Sequence, residues 1–241
     1  MTNALLIARR NFSAYFNGYS GWLILGTVLF VIGIWFQAFA MGNGARYSHE
    51  VLEKFFETLF GVGMCAPVAF TMGSIAEERQ TGTDVLLHTS PLKEWQIVLG
   101  KYLAAMGMFT VLMLLSTYMP ALIFVNGKVS YSHIAVGYLG ALLCGSTVTA
   151  MGIFSSSLFR SQIPALLVTA VIVVTFLVCW LLSDLVDSPF SDVVAYVALF
   201  DKHYQSFEKG KLLSNSVIFY LSLTWGFLML ATRSLEGRRW Q

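Results

Sequence analysis

Few side chains in this sequence are arranged to do chemistry. The four histidines, His49, His88, His133 and His203, lie in loops or at the ends of apolar runs, where solvent-facing positions suit them better than ligand roles. Cys65, Cys144 and Cys179 sit inside apolar runs with no CxxC spacing, so they read as small packing residues. Ser155, Ser156 and Ser157 place three hydroxyls near the end of one apolar run, yet no histidine or lysine stands at that depth to activate one. A helix-interface role explains them better. The chain has no GxxxxGK(S/T) phosphate loop and no HExxH pair, so it is not expected to hydrolyse ATP or to hold a metal. Neither catalytic residues nor a cofactor of its own are expected.

Chemistry of another kind gathers in residues 76–105, AEERQTGTDVLLHTSPLKEWQIVLGKYLAA, which carry seven charges between two oily runs. Charged residues make up only 12% of the 241-residue chain, against about 25% in an ordinary soluble domain, and mean hydropathy is +0.69. These proportions exclude a large soluble domain and point to a membrane protein. Six apolar runs follow one another: Ser20–Met41, Phe56–Ile75, Tyr102–Val125 (with Trp95 as an earlier start), Ile134–Phe159, Ile163–Leu182 and Asn215–Thr232. Each is near the roughly 20 residues that a spanning helix needs. They are continuous rather than alternating, which argues for helices over a barrel.

Lys and Arg set the expected orientation. With both termini on the cytoplasmic side, the inner segments hold nine basic and five acidic residues and the outer segments six and eight. Before the first run, Leu5, Ala8, Phe12 and Tyr15 or Phe16 recur at helical spacing with Arg9, Arg10 and Asn11 between them. Residues 1–19 are therefore expected to form an amphipathic helix lying in the inner interface. Residues 183–214 form the longest outer connection, and its VVAYVALF stretch is too short to span, which suggests short interfacial or re-entrant helices. The fourth run carries Gly137, Gly140, Ala141, Gly145, Thr149, Gly152 and Ser156, small residues suited to close packing. Glu57 is the nearest case to a buried charge, at the outer end of the second run, where reaching the headgroups suits it better than touching a substrate. Without intramembrane charges an ion-coupled carrier or channel lacks its machinery, so any energy must come from a partner.

The charged stretch itself reads as a structured elbow. Glu77, Glu78 and Arg79 follow the second run, and Gly82 marks a turn. Asp84 suits the start of a short helix, Val85–His88. Ser90 and Pro91 stop it, and a new helix runs from Lys93 into the third span. The elbow shows Val85, Leu86 and Leu87 to something at the inner surface.

This pattern, Glu77, Glu78, Gly82, Thr83, Leu86, Leu87, Ser90, Pro91, Gly100 and Lys101, resembles the type-2 superfamily of ABC exporter permeases. LFDKHYQSFEKG after the fifth run and the C-terminal LEGRRW look like the Gld-type permeases associated with gliding motility. The resemblance implies an all-α integral membrane protein of one domain over 1–241. It would have six spans, a connecting helix at 1–19, a cytoplasmic coupling elbow at 76–101 and re-entrant helices at 183–214. It further implies a homodimer in the bacterial inner membrane, driven by a separate cytosolic ATPase that binds the ATP and Mg and exports an unknown substrate. Thr83, Asp84, Val85, Leu86, Leu87, His88, Thr89, Ser90 and Pro91 would contact that ATPase. Glu77 or Glu78 is expected to pair with Arg9 or Arg10, with Arg79 in the same inner bundle. Gld-type systems add an auxiliary membrane protein with a large external domain. A scaffold that passes ATPase-driven force to an external partner is the alternative. Membrane lipid is the remaining expected contact, and nucleic acid is not.

Overall fold

The computed structural model describes residues 3–40, 47–83, 92–126, 129–183, 198 and 203–238. All of its elements are helical. The helix α1 covers Asn3–Asn17, α2 Tyr19–Trp35, α3 Ser48–Gly63, α4 Cys65–Met72 and α5 Ala76–Gln80. After them come α6 (Glu94–Ser116), α7 (Tyr118–Asn126), α8 (Tyr131–Leu158), α9 (Gln162–Ser183), α10 (Gln205–Glu208) and α11 (Ser214–Arg238).

Six stretches among the described residues are long and apolar enough to cross a membrane: Tyr19–Ala38, Ser48–Gln80, Glu94–Ile123, Tyr131–Leu158, Gln162–Cys179 and Ser214–Gly237. The first ends in a π-turn, Phe36–Ala40. Two others are segmented where the sequence suggests single helices. The second breaks at Met64 and again across Gly73–Ile75, so that α3, α4 and α5 are successive pieces. The third breaks at Thr117, one turn before the proline expected to kink it. Pro120 has no N–H to return to the Ser116 carbonyl, so the ladder cannot pass through that point.

The fourth span, α8, is the hub. It packs against α3, α4, α6, α9, α10 and α11. Its small residues admit large partners. A Cβ added to Gly145 would lie 2.0 Å from the Phe109 ring, and one on Gly152 would lie 1.9 Å from Thr71 Oγ1. The stripe of small residues therefore serves packing within the chain. The second, third and fourth spans are more than half buried, whereas the first, fifth and sixth expose most of their apolar residues.

Both described chain ends lie at the same end of the bundle. Leu235 of α11 shares an apolar cluster with Ile75, Val98 and Ile153. At that end α1 packs along the start of α6, with Ala4, Ile7 and Ala8 buried. The contact differs from the expected stripe: Leu5 is 47% exposed, because Gly100 opens a groove that takes Ile7 instead. A Cβ on Gly100 would meet Ile7 Cβ at 2.7 Å.

Candidate functional site

The elbow after the second span is where polar side chains converge. The chain breaks its helix at Gly73–Ile75, and a break in an apolar bundle strands backbone donors and acceptors. Side chains from three other elements satisfy them. Ser156 Oγ, from α8, accepts the N–H of Ile75 at 2.9 Å and of Ala76 at 3.0 Å, and donates to the Met72 carbonyl at 3.3 Å. Lys101 Nζ, from α6, donates to the Ser74 carbonyl. Thus α5 is tied to the third and fourth spans as firmly as to the second.

Lys101 is 2% exposed, and its ammonium also meets Glu78 Oε2 at 2.6 Å. Burying a lysine at this level demands a charge partner and filled donor positions, and here it has both. Glu78 reaches a second cation, Arg10 Nη2 on α1, at 3.3 Å. A single carboxylate therefore joins α1, α5 and α6. The Arg10 contact is open to solvent and weak by itself. Glu77 makes no hydrogen bond or ion pair with another described residue, and Arg9 is exposed. Arg79 turns the other way and donates to the carbonyls of Ser157 at 2.5 Å and Phe159 at 3.4 Å. It caps the C-terminus of α8, where unpaired carbonyls and the negative helix end favour a cation.

Tyr15 of α1 donates its hydroxyl to the Phe70 carbonyl at 2.6 Å. Burial, and next the charge of Glu77, push its phenol up from the ordinary value, which keeps it a donor. Beyond α5, Thr81 Oγ1 donates to the Glu77 carbonyl at 2.9 Å and Thr83 Oγ1 to the Glu78 carbonyl at 3.2 Å. Gly82 takes φ +72 between them, a value a glycine adopts without strain. Asp84, Val85, Leu86, Leu87, His88, Thr89, Ser90 and Pro91 lie outside the described residues. The chain returns with α6, whose first turn is closed by Gln96 Oε1 accepting the Lys93 N–H at 3.3 Å.

Lys101 and Ser156 are the residues that sequence reasoning undervalued. Lys101 was expected only as part of the Gly100–Lys101 motif, and Ser156 only as a small packing residue. A lysine seven residues into an apolar helix was the available signal for the first. Nothing in the sequence marks which of three serines faces a broken helix. Two histidines also depart from the solvent-facing expectation. His203 is 3% exposed, stacks on Phe219 with ring centres 4.0 Å apart and places Nδ1 3.2 Å from Ser216 Oγ. His133 sets Nε2 2.6 Å from the Glu208 carbonyl. Neither could be foreseen, because their partners lie 13 and 75 residues away. Glu57 stays at the surface and pairs with Lys54.

Six spans with a polar joint at one end define a multi-pass helical membrane protein. The family model described as ABC-2 family transporter protein matches residues 50–201, more than half of the chain, and the chain belongs to that family. It is thus a membrane permease subunit of an ABC transporter, a class that is not itself the ATPase and that implies a partner ABC ATPase. No curated protein matches the chain.

Proposed function

We propose that this permease pairs with a second copy of itself and exports a substrate across a bacterial cytoplasmic membrane, driven by a cytosolic ATPase seated on Thr83–Pro91. Both termini and the elbow would then face the cytoplasm, with α1 as the connecting helix. The observation that carries this reading is the buried Lys101–Glu78 pair, extended to Arg10. A segment that receives a push must be rigid where it joins the spans. This pair and the Ser156 hydroxyl fix α5 to the third and fourth spans, so movement of the elbow would reach the bundle core. ATP and Mg would belong to the partner. Of the exporter groups, the Gld-type is the one suggested by the 199–210 and 235–240 segments, and such a machine would add an auxiliary subunit with a large external domain.

The test is co-expression of the chain with its cytosolic ATPase. Leu86→Asp combined with Leu87→Asp should abolish co-purification while leaving the thermal melt of the permease unchanged. Undiminished co-purification would sink the proposed contact. The purified permease alone should show no ATP turnover.

A further inference from the structure

Beside the elbow lies a cavity of about 580 Å³ between α1, α2, α4 and α5. Its walls differ in character. Ile24, Ala69 and Phe70, from the first and second spans, line it with apolar surface, whereas Glu77, Thr81 and Thr83 line it at the elbow. A site that is apolar along the spans and polar beyond them fits an amphiphile lying parallel to the helices.

The charge at the polar end is also specific. Glu78 is neutralised by Lys101 and Arg10. Glu77 has no hydrogen-bond or ion-pair partner among the described residues, so its carboxylate is left for a ligand or for water. The side chain folds back over Gly73: a Cβ added there would lie 2.9 Å from Glu77 Oε2 and 3.5 Å from the Gln162 amide nitrogen. The absence of a side chain at Gly73 thus leaves room for that carboxylate. The hydroxyls of Thr81 and Thr83 donate to backbone carbonyls and lie 3.0 Å from each other, which commits their protons and leaves lone pairs. Such a polar end accepts hydrogen bonds and carries one uncompensated negative charge. Its complement is a compact cation with several N–H donors, which is an ammonium group.

We infer that this cavity binds a phospholipid through a primary ammonium headgroup, with Glu77 as the anchoring carboxylate and the acyl chains against Ile24, Ala69 and Phe70. The lipid would touch α1 and α5 together, the two elements that Arg10 and Glu78 already join.

The test uses the full chain, purified and exchanged into nanodiscs containing equal phosphatidylethanolamine and phosphatidylglycerol, then released for native mass spectrometry. The wild-type chain should retain phosphatidylethanolamine. Glu77→Gln should retain it about tenfold less, the value of one lost charge-assisted hydrogen bond. Gly73→Val, which fills the space beneath the carboxylate, should show the same loss. Both variants should melt as the wild type does, since Glu77 has no partner among the described residues to lose. Equal retention by the wild type and both variants would overturn the inference. So would retention of phosphatidylglycerol equal to that of phosphatidylethanolamine. Competition by free ethanolamine at the lipid's own concentration would reduce the site to an amine pocket and overturn the lipid assignment.

Discussion

At the elbow end, a buried lysine, an arginine and a serine hydroxyl are committed to the broken ends of helices. At the far end, where α10 seats on α8 and α3, the contacts are mostly rings on rings. Tyr204 lies 4.4 Å from the Phe60 ring, His203 stacks on Phe219, and Phe207 fills the space left by Gly140. Polar bonds at that end are few and local: Tyr204 Oη to the Phe56 carbonyl at 3.0 Å, and His133 to the Glu208 carbonyl. Aromatic burial supplies energy with loose angular demands. Charge-assisted bonds fix orientation and fail abruptly when one partner goes. The elbow end is thus built to hold one geometry, and the far end to stay closed by buried area.

That contrast can be broken from either side. The largest effect should come from Lys101→Ala, which leaves the Ser74 carbonyl unpaired and Glu78 with only its exposed arginine. A loss of about 3 kcal/mol is expected, read as a lower midpoint of thermal unfolding in detergent. At the far end, Gly140→Ala drives a methyl to 2.5 Å from Phe207 Cβ and should cost about 2 kcal/mol by overpacking. Limited proteolysis around α10 should report it, and the elbow should stay protected. Ser156→Ala strands the Ile75 and Ala76 N–H groups; about 2 kcal/mol is expected, with faster hydrogen exchange at those two amides and none at α10. Tyr204→Phe keeps the ring and removes one bond, so its melt should fall by only about 1 kcal/mol. A drop as large as that of Lys101→Ala would undo the distinction between the two ends.

The smallest effect is a pH dependence confined to the far end. Burial raises the Glu208 carboxyl from 4.5 to about 7, helped by Glu57 and Glu53 on α3 and opposed by Lys54 and Lys209. A folded-state value above the unfolded one contributes stability that is complete below about 4.5 and lost as pH rises through 7. Melts should therefore be slightly higher at pH 5 than at pH 8, by less than about 1 kcal/mol because solvent screens the group. Glu208→Gln should flatten the profile.

Much of the helical layout was legible because the membrane imposes it. Lipid allows no unpaired backbone, so an apolar run of about 20 residues declares a helix without knowledge of its neighbours. The breaks were less legible. Pro120 announced one, whereas Gly73–Ile75 looks in sequence like the tail of a continuous run. Its departure from helix is tolerated only because Ser156 and Lys101 arrive from 81 and 27 residues away. Arg9, Arg10, Glu77 and Glu78 were equivalent candidates for pairing by composition. In the structure Arg10 faces Glu78, Glu78 faces Lys101, and Glu77 turns over Gly73.

Sequence alone therefore determined the six spans, the charged elbow and the family to which the chain belongs, since hydropathy, short motifs and charge spacing are properties of neighbouring residues. Tertiary structure alone decided which charge is buried, which serine satisfies the broken helix, and that Glu77 lines a cavity between the first two spans. Those outcomes depend on distances between segments far apart in the chain, and they are fixed only when α1, α5, α6 and α8 pack together.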